Sequence, residues 1–153
     1  MTQQNQAAPD VAGWATTCRA ITSDVLAALG LPQDLVQTDP GRAMRLIEEQ
    51  LAERAADPHL QTEQDRIFNS QVIMGFTAEF LISVHGARWD WMIDASSPLG
   101  GRWVITSFAH PLGQETVPVD VPGLAYEAAT SGDPSLVDVI NQAERLSMIR
   151  VLR

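Results

Sequence analysis

The side chains best suited to chemistry lie around residues 79–94, where a long apolar segment gives way to tryptophan-rich sequence. Glu79, Asp90 and Asp94 supply carboxylates, and His85 supplies an imidazole that can act as a base. Such groups can transfer protons or bind a metal ion when they meet in space. On a helix, however, Glu79 and His85 would lie about 120° apart and would not share a face. The spacing therefore predicts no catalytic residue and no metal ligand.

The sequence lacks the motifs of well-known active sites. It has no nucleophile elbow, no paired zinc-binding histidines, no glycine-rich nucleotide loop and no calcium-loop spacing. It also has no lysine, which excludes Schiff-base catalysis. Its single cysteine, Cys18, cannot form an intramolecular disulfide and is predicted to be a small core residue. We therefore expect no cofactor, and we favour binding over catalysis.

Glu79 is the most unusual of the carboxylates, because it stands in an apolar segment close to Phe76 and Phe80. A buried carboxylate without a partner is costly, so we predict a structural ion pair with Arg88 or Arg102. Replacing Glu79 by Gln is then expected to destabilise the fold by roughly 1 to 4 kcal/mol, because the arginine is left without its partner. In the alternative, Glu79 lies at a functional opening, and its replacement removes binding without loss of stability.

The tryptophans Trp89, Trp91 and Trp103 fall on two segments that are expected to pair as strands. At least two of them are predicted to pack one sheet face against the central helix. A tryptophan on the opposite face, beside acidic residues and an arginine, would instead be an interface anchor. The residues predicted to bind a partner or ligand are Trp89, Asp90, Trp91, Asp94, Arg102, Trp103 and Glu79.

The first third of the chain is predicted to be helical. One helix runs through residues 25–29 and stops at Gly30, and its start is left open as far back as Val11. A second helix begins at Asp39 and Pro40, which combine an N-cap side chain with proline in the first helical turn. Apolar residues at helical spacing follow that start.

The strongest predicted helix is the central one, which carries Glu79. Residues 62–65, Thr-Glu-Gln-Asp, resemble a capping box, and the helix is expected to run to about His85. Gly86 supplies the left-handed residue that ends it, and Gly75 allows a neighbouring element to approach closely. The apolar stretch 72–84 is too short to span a bilayer, so this helix is predicted to form the core.

After this helix the apolar period changes from that of a helix to that of a strand. Residues 89–95 and 102–109 predict a hairpin, and residues 115–121 predict a third strand at the sheet edge, because they contain proline. Asp133 and Pro134 are predicted to cap a C-terminal helix. The fold class is therefore α+β, with N-terminal helices, a long central helix, an antiparallel sheet of about three strands and a C-terminal helix.

Length and charge limit the possible functions. The 153 residues predict a single α+β domain at 10–153 after a flexible N-terminus at 1–9. The formal net charge of −9 is spread along the chain, which disfavours nucleic acid and attracts basic proteins. The polar N-terminus contains neither basic residues nor an apolar run, so we expect a cytoplasmic protein without a membrane anchor.

The layout of residues 72–146 resembles small uncharacterised bacterial α+β domains, in which a glycine-containing helix with a glutamate precedes a tryptophan-bearing strand. The features that carry the resemblance are Gly75, Glu79, Trp89, Trp103, the predicted strand at 117–121 and the step Gly132-Asp133-Pro134. Domains of this kind occur among bacterial immunity and accessory proteins. The resemblance implies binding rather than catalysis and transfers no active site.

Three functional hypotheses follow. The first is an acidic protein-binding module, an immunity protein or dedicated chaperone that masks a basic toxin or effector domain. The alternative is a small enzyme or ligand-binding domain with a pocket between the central helix and the tryptophan-rich hairpin. The third is a subunit of a homo-oligomer.

Overall fold

The structure is a computed structural model that describes residues 9–151 of the chain. Almost all of the predicted flexible segment, residues 1–9, lies outside these residues. Within them, the fold is α+β, with six helices and one hairpin. The elements are α1 (Val11–Ala28), α2 (Leu35–Thr38), α3 (Pro40–Ala56), a 3₁₀ turn (Pro58–Leu60), α4 (Glu63–His85), β1 (Arg88–Ile93), β2 (Gly101–Thr106), α5 (Val121–Thr130) and α6 (Leu136–Leu146).

Helix α4 is the centre of the fold, and both of its predicted ends are confirmed. The hydroxyl of Thr62 accepts a hydrogen bond from the Asp65 backbone N–H at 3.2 Å, and the Asp65 carboxylate accepts one from the Thr62 N–H at 3.1 Å. This reciprocal pair is the capping box, which satisfies two N–H groups that the helix itself cannot bond. At the other end, Gly86 has a φ of +63° and stops the helix.

The other helices surround α4 and bury it. At 23 residues, α4 is long and apolar enough to cross a bilayer by length and composition, but more than half of its apolar window is buried inside the fold. This placement is that of a core helix. Helix α1 crosses α4 closely at Gly75, where an added Cβ would lie 3.1 Å from the Thr22 methyl group. The predicted close approach at Gly75 is therefore confirmed.

Helix α1 extends much further towards the N-terminus than residues 25–29, the segment that its apolar spacing predicts. It begins at Val11, because the Asp10 carboxylate accepts a hydrogen bond from the Gly13 N–H at 2.9 Å and caps the first turn. The early start, which the sequence left open, is the one that the structure has. It adds about three to four turns, which carry Trp14 and Cys18 towards the core.

The predicted third strand is wrong, and the described sheet has two strands. Residues 115–121 contribute only an isolated bridge, in which Val119 exchanges two backbone hydrogen bonds of 2.9 Å with Ile105. Pro118 has no N–H to donate, and Asp120 already caps α5 by accepting a hydrogen bond from the Gly123 N–H. The alternating valines therefore lead into helix α5, which the sequence analysis did not predict.

Helix α6 begins two residues later than predicted, and the cap comes from a different residue. Ser135, not Asp133, is the N-cap, and its hydroxyl accepts a hydrogen bond from the Asp138 N–H at 3.2 Å. Glu48 of α3 adds a second cap, because its carboxylate accepts a hydrogen bond of 2.7 Å from the Val137 N–H. A carboxylate at a helix N-terminus is favoured by the helix dipole, so Glu48 joins α3 to α6.

The capping box at the start of α4 generates a stability prediction. We expect Thr62→Ala to lower the free energy of unfolding by about 1 kcal/mol, because one N–H group of the first turn loses its acceptor. Thr16→Ala is the matched control, since Thr16 is exposed within α1 and its hydroxyl bonds only the Ala12 carbonyl. Urea unfolding of the two variants checks this. A Thr62 effect no larger than that of Thr16 would contradict the role of the box.

Candidate functional site

Glu79 and Arg102, two of the charged residues predicted to bind, lie in separate networks. Glu79 contacts Arg19 of α1 and Gln37 of α2. Arg102, on the hairpin, contacts Asp94 and Asp120. The structure therefore does not assemble these residues into the single pocket between α4 and the hairpin on which the alternative hypothesis, a small enzyme or ligand-binding domain, depended. The residues are separated because α1 packs against both α4 and the tryptophan face of the hairpin.

Glu79 is buried and paired with an arginine, as predicted, but the predicted partners are wrong. Its side chain is 1% exposed, and its Oε2 atom lies 3.4 Å from Nε of Arg19 and 3.2 Å from Nε2 of Gln37. Arg102 is engaged by acidic residues, and Arg88 donates a hydrogen bond to Ser107. The error has a simple cause, because α1 rather than the hairpin packs on the Glu79 side of α4.

Burial raises the pKa of Glu79, although Arg19 and Gln37 act in the opposite direction. The Arg19 side chain is 63% exposed, so water screens much of its charge. The attraction of Arg19 therefore does not offset the cost of burying the carboxylate. The same environment raises the pKa of the Cys18 thiol to about 12, through burial and through the charge of Glu79. Cys18 is thus an unreactive core thiol, as predicted.

A polar cavity lies next to Glu79, between α1 and the segment that contains α2. Its volume is about 370 Å³, and the residues that line it are Arg19, Thr22, Ser23, Gln33, Asp34 and Gln37. Arg19 and Gln37 both line the cavity and contact Glu79, so the carboxylate lies directly behind them. Glu79 therefore combines the buried ion pair predicted from the sequence with a position behind a cavity, which corresponds to the functional opening that the sequence left as the alternative. Sequence reasoning selected Glu79 but missed Arg19 and Gln37.

The three hairpin tryptophans lie on the same sheet face and form a cluster with Trp14 of α1. Trp103 pairs with Trp91 across the hairpin, and Trp89 pairs with Ile105. The Trp14 ring stacks on Trp103 at 4.8 Å and meets Trp89 edge-on at 5.6 Å. The predicted packing of the tryptophans is therefore directed towards α1 through Trp14. The alternative, a tryptophan on the opposite face as an interface anchor, is wrong.

The polar side chains of the hairpin form a tie to α5. Arg102 contacts Asp94 in the turn, and its Nη1 atom lies 3.3 Å from the Asp120 carboxylate at the start of α5. Hydrogen bonds from Ser96, together with Arg102, lower the pKa of Asp94. Asp90 accepts a hydrogen bond of 2.8 Å from the Trp91 backbone N–H. These contacts explain the three predicted polar residues as supports of the hairpin.

The tip of the hairpin exposes two large aliphatic side chains. Ile93, the last residue of β1, is 86% exposed, and Leu99, in the turn, is 75% exposed. Met92 beside them is partly exposed. We name Met92, Ile93 and Leu99 the hairpin tip. Sequence reasoning placed binding on this hairpin but selected the tryptophans instead of the tip.

The described part of the chain contains no group of three or more histidine, cysteine, aspartate or glutamate side chains arranged to hold a metal ion. Comparison with protein-family models, with curated proteins and with solved structures gives no match to the chain. The class of protein that the fold and the site define is therefore an α+β protein with a supported apolar hairpin tip and a buried carboxylate beside a polar cavity.

The tryptophan cluster generates a prediction at Gly101. An added Cβ would lie 2.5 Å from the Trp91 ring, which covers this glycine. We expect Gly101→Ala to lower the free energy of unfolding by roughly 1 to 3 kcal/mol, because the ring has to leave its packing against Trp103. Gly113→Ala is the control, since nothing lies within 4 Å of its added Cβ. Urea unfolding and near-ultraviolet circular dichroism provide the measurement. Equal stability of the two variants would contradict the packing.

Glu79 generates a prediction about pH. Because its folded-state pKa is raised, the folded state keeps a proton that the unfolded state releases, and stability falls as pH rises through the raised pKa. We expect Glu79→Gln to raise the free energy of unfolding by roughly 0.5 to 2 kcal/mol at neutral pH. The gain should shrink on the acid side, where Glu79 is itself neutral. This expectation reverses the loss predicted from sequence, because Arg19 is exposed and is not left buried without a partner.

Urea unfolding between pH 4 and pH 8 tests this, with Glu49→Gln on the exposed face of α3 as the matched control. The control should change stability by less than about 0.5 kcal/mol across the range. A loss of stability in Glu79→Gln at neutral pH would show that the ion pair with Arg19 outweighs the cost of burial.

Proposed function

We propose that the protein is an acidic protein-binding module that docks a basic protein partner through the hairpin tip. The observation that carries the proposal is the exposure of Ile93, at the end of β1, and of Leu99, in the following turn, on a hairpin that packs on α1 and is tied to α5. Apolar side chains at the centre of an interface supply most of its affinity. Covering these exposed side chains with a partner would remove apolar surface from water, which favours binding.

Support for a basic partner comes from charge. The net charge of −9 favours association with a cationic protein and raises the rate of encounter. On the hairpin and at the start of α5, the carboxylates of Asp90, Asp94 and Asp120 outnumber the guanidinium groups of Arg88 and Arg102. Rim charges of this kind select the partner, while the apolar tip holds it.

The rigid base of the hairpin favours tight binding. Stacked tryptophan rings hold the strands against α1, and the contacts of Arg102 hold the turn near α5. Since the tip is already ordered before it meets a partner, little conformational entropy is lost on binding. This is the behaviour required of a cytoplasmic immunity protein or dedicated chaperone that masks a basic toxin or effector domain, and we propose that role.

A ligand-binding domain is the second candidate, and one observation favours it. The polar cavity beside Glu79 has a volume within the range of small-molecule sites. It lies between α1 and α2 instead of between α4 and the hairpin. A thermal-shift screen of metabolites tests this candidate, because a ligand at 100 times its dissociation constant adds about 2.7 kcal/mol to stability.

Photo-cross-linking in the native host tests the protein-binding proposal. A photoreactive phenylalanine analogue replaces Leu99 at the tip, and the control carries the same group at Val137, which is exposed on α6. We expect the Leu99 probe to trap a protein rich in lysine and arginine, with a yield that falls as salt rises. The Val137 probe should not trap it. Ile93→Ser should weaken the purified complex roughly tenfold, whereas Val137→Ser should not.

Three results would contradict the proposal. The first is a partner without basic character, and the second is equal capture by both probes. The third is cross-linking of the Leu99 probe only to a second copy of the chain, which would favour the homo-oligomer and would agree with a mass in solution that depends on concentration.

A further inference from the structure

Glu79 is a buried charge whose compensation is incomplete. Its described contacts both converge on one carboxylate oxygen, Oε2, from Nε of Arg19 at 3.4 Å and from Nε2 of Gln37 at 3.2 Å. A guanidinium that binds a carboxylate well presents two parallel N–H groups to its two oxygens. The single long contact of Arg19 is a weaker arrangement, so a better-placed cation would bind Glu79 more strongly.

Arg19 is held loosely enough to be displaced. Its side chain is 63% exposed, so the guanidinium itself loses little solvation when it turns outward, and the cost of the movement falls on Glu79. By contrast, Glu79 is 1% exposed and cannot follow it. The outward movement of Arg19 therefore leaves a carboxylate that needs another cation.

The cavity offers room and complementary groups for such a cation. Its volume is about 370 Å³, and Arg19 forms part of its wall. Asp34 adds a second carboxylate, while Thr22 and Ser23 contribute hydroxyl oxygens. The Thr22 hydroxyl donates its hydrogen to the Arg19 carbonyl at 2.8 Å, so its oxygen can still accept a hydrogen bond from a ligand. When Arg19 turns outward, the site keeps two carboxylates, those of Glu79 and Asp34, and the other lining residues include no cation.

We propose that this cavity binds an alkylguanidinium or alkylammonium group, with Glu79 as its charge partner and Arg19 as the side chain that it displaces. The group can belong to a free small molecule or to an arginine or lysine side chain of a peptide. The exchange replaces one cation with another, so the charge of the site is conserved. This site lies apart from the hairpin tip, and the inference goes beyond the proposed function.

Titration calorimetry with defined probes tests the site. The probes are n-butylguanidinium, n-butylammonium, a capped Gly-Arg-Gly peptide and, as the neutral control, 1-butanol. We expect saturable binding of at least one cationic probe and none of 1-butanol. Glu79→Gln should weaken that binding at least tenfold. Arg19→Ala should strengthen it severalfold, because the internal competitor is gone. Glu49→Gln, on the exposed face of α3, should leave it unchanged.

The probes also distinguish the source of the group. Binding of the alkyl cations without the peptide indicates a free ligand, and binding of the peptide indicates a protein side chain. Circular dichroism establishes that each variant is folded. Saturable binding that is equal in wild type and Glu79→Gln overturns the proposal, as does the absence of binding to folded Arg19→Ala by every cationic probe. Neither result bears on the cross-linking at Leu99, so the two proposals fail separately.

Discussion

The rest of the structure depends on one constraint, the need to bury a helix that is apolar on almost every side. Residues 72–79 of α4 are all buried, so α4 has no face that can be left in water. An ordinary surface helix covers a core with one stripe, but α4 requires neighbours around its circumference. The helices α1, α2, α3, α5 and α6 all contact it, and the small hairpin is fastened to this helical assembly through α1 and α5.

The buried polar residues of α4 distinguish one side of the helix from another. Asn69 accepts a hydrogen bond of 2.8 Å from Arg54 of α3, and His85 lies 2.7 Å from Glu144 of α6. Glu79 takes its partners from α1 and α2. Apolar packing alone would allow several arrangements of the surrounding helices, whereas each of these contacts is satisfied by only one. The polar residues therefore contribute specificity to a core whose stability comes from apolar burial.

The elements that local chemistry determines could be predicted from the sequence, and those that tertiary contacts determine could not. The ends of α4 were predictable because Thr62 and Gly86 act on their own turns. Helix α5 was missed because alternating valines predicted a strand, although Asp120 followed by Pro122 repeats the capping pattern at the start of α3. The partner of Glu79 was not predictable, since it depends on which helix covers that side of α4.

Part of the candidate site could nevertheless be predicted from the sequence. The position of Glu79 in an apolar segment marked it correctly, and Glu144 carried a similar signal, because it follows Ile140 by four residues on the buried stripe of α6. Trp14 gave no such signal, since its role requires that α1 lie across the hairpin. The hairpin tip was passed over because exposed aliphatic residues in a turn are common, and only their exposure in the fold sets Ile93 and Leu99 apart.

Comparison of the three polar contacts of α4 shows why Glu79 is the functional candidate. His85 and Glu144 are both buried, so neither can leave the other without a large cost. Arg54 is held on three sides, by Asn69, by Asp65 and by the Phe68 ring 4.5 Å away. Only Glu79 has a charged partner that is mostly in water. Because Arg19 is exposed, it can move without being desolvated or stranded, and the Glu79 carboxylate is then within reach of an incoming ligand.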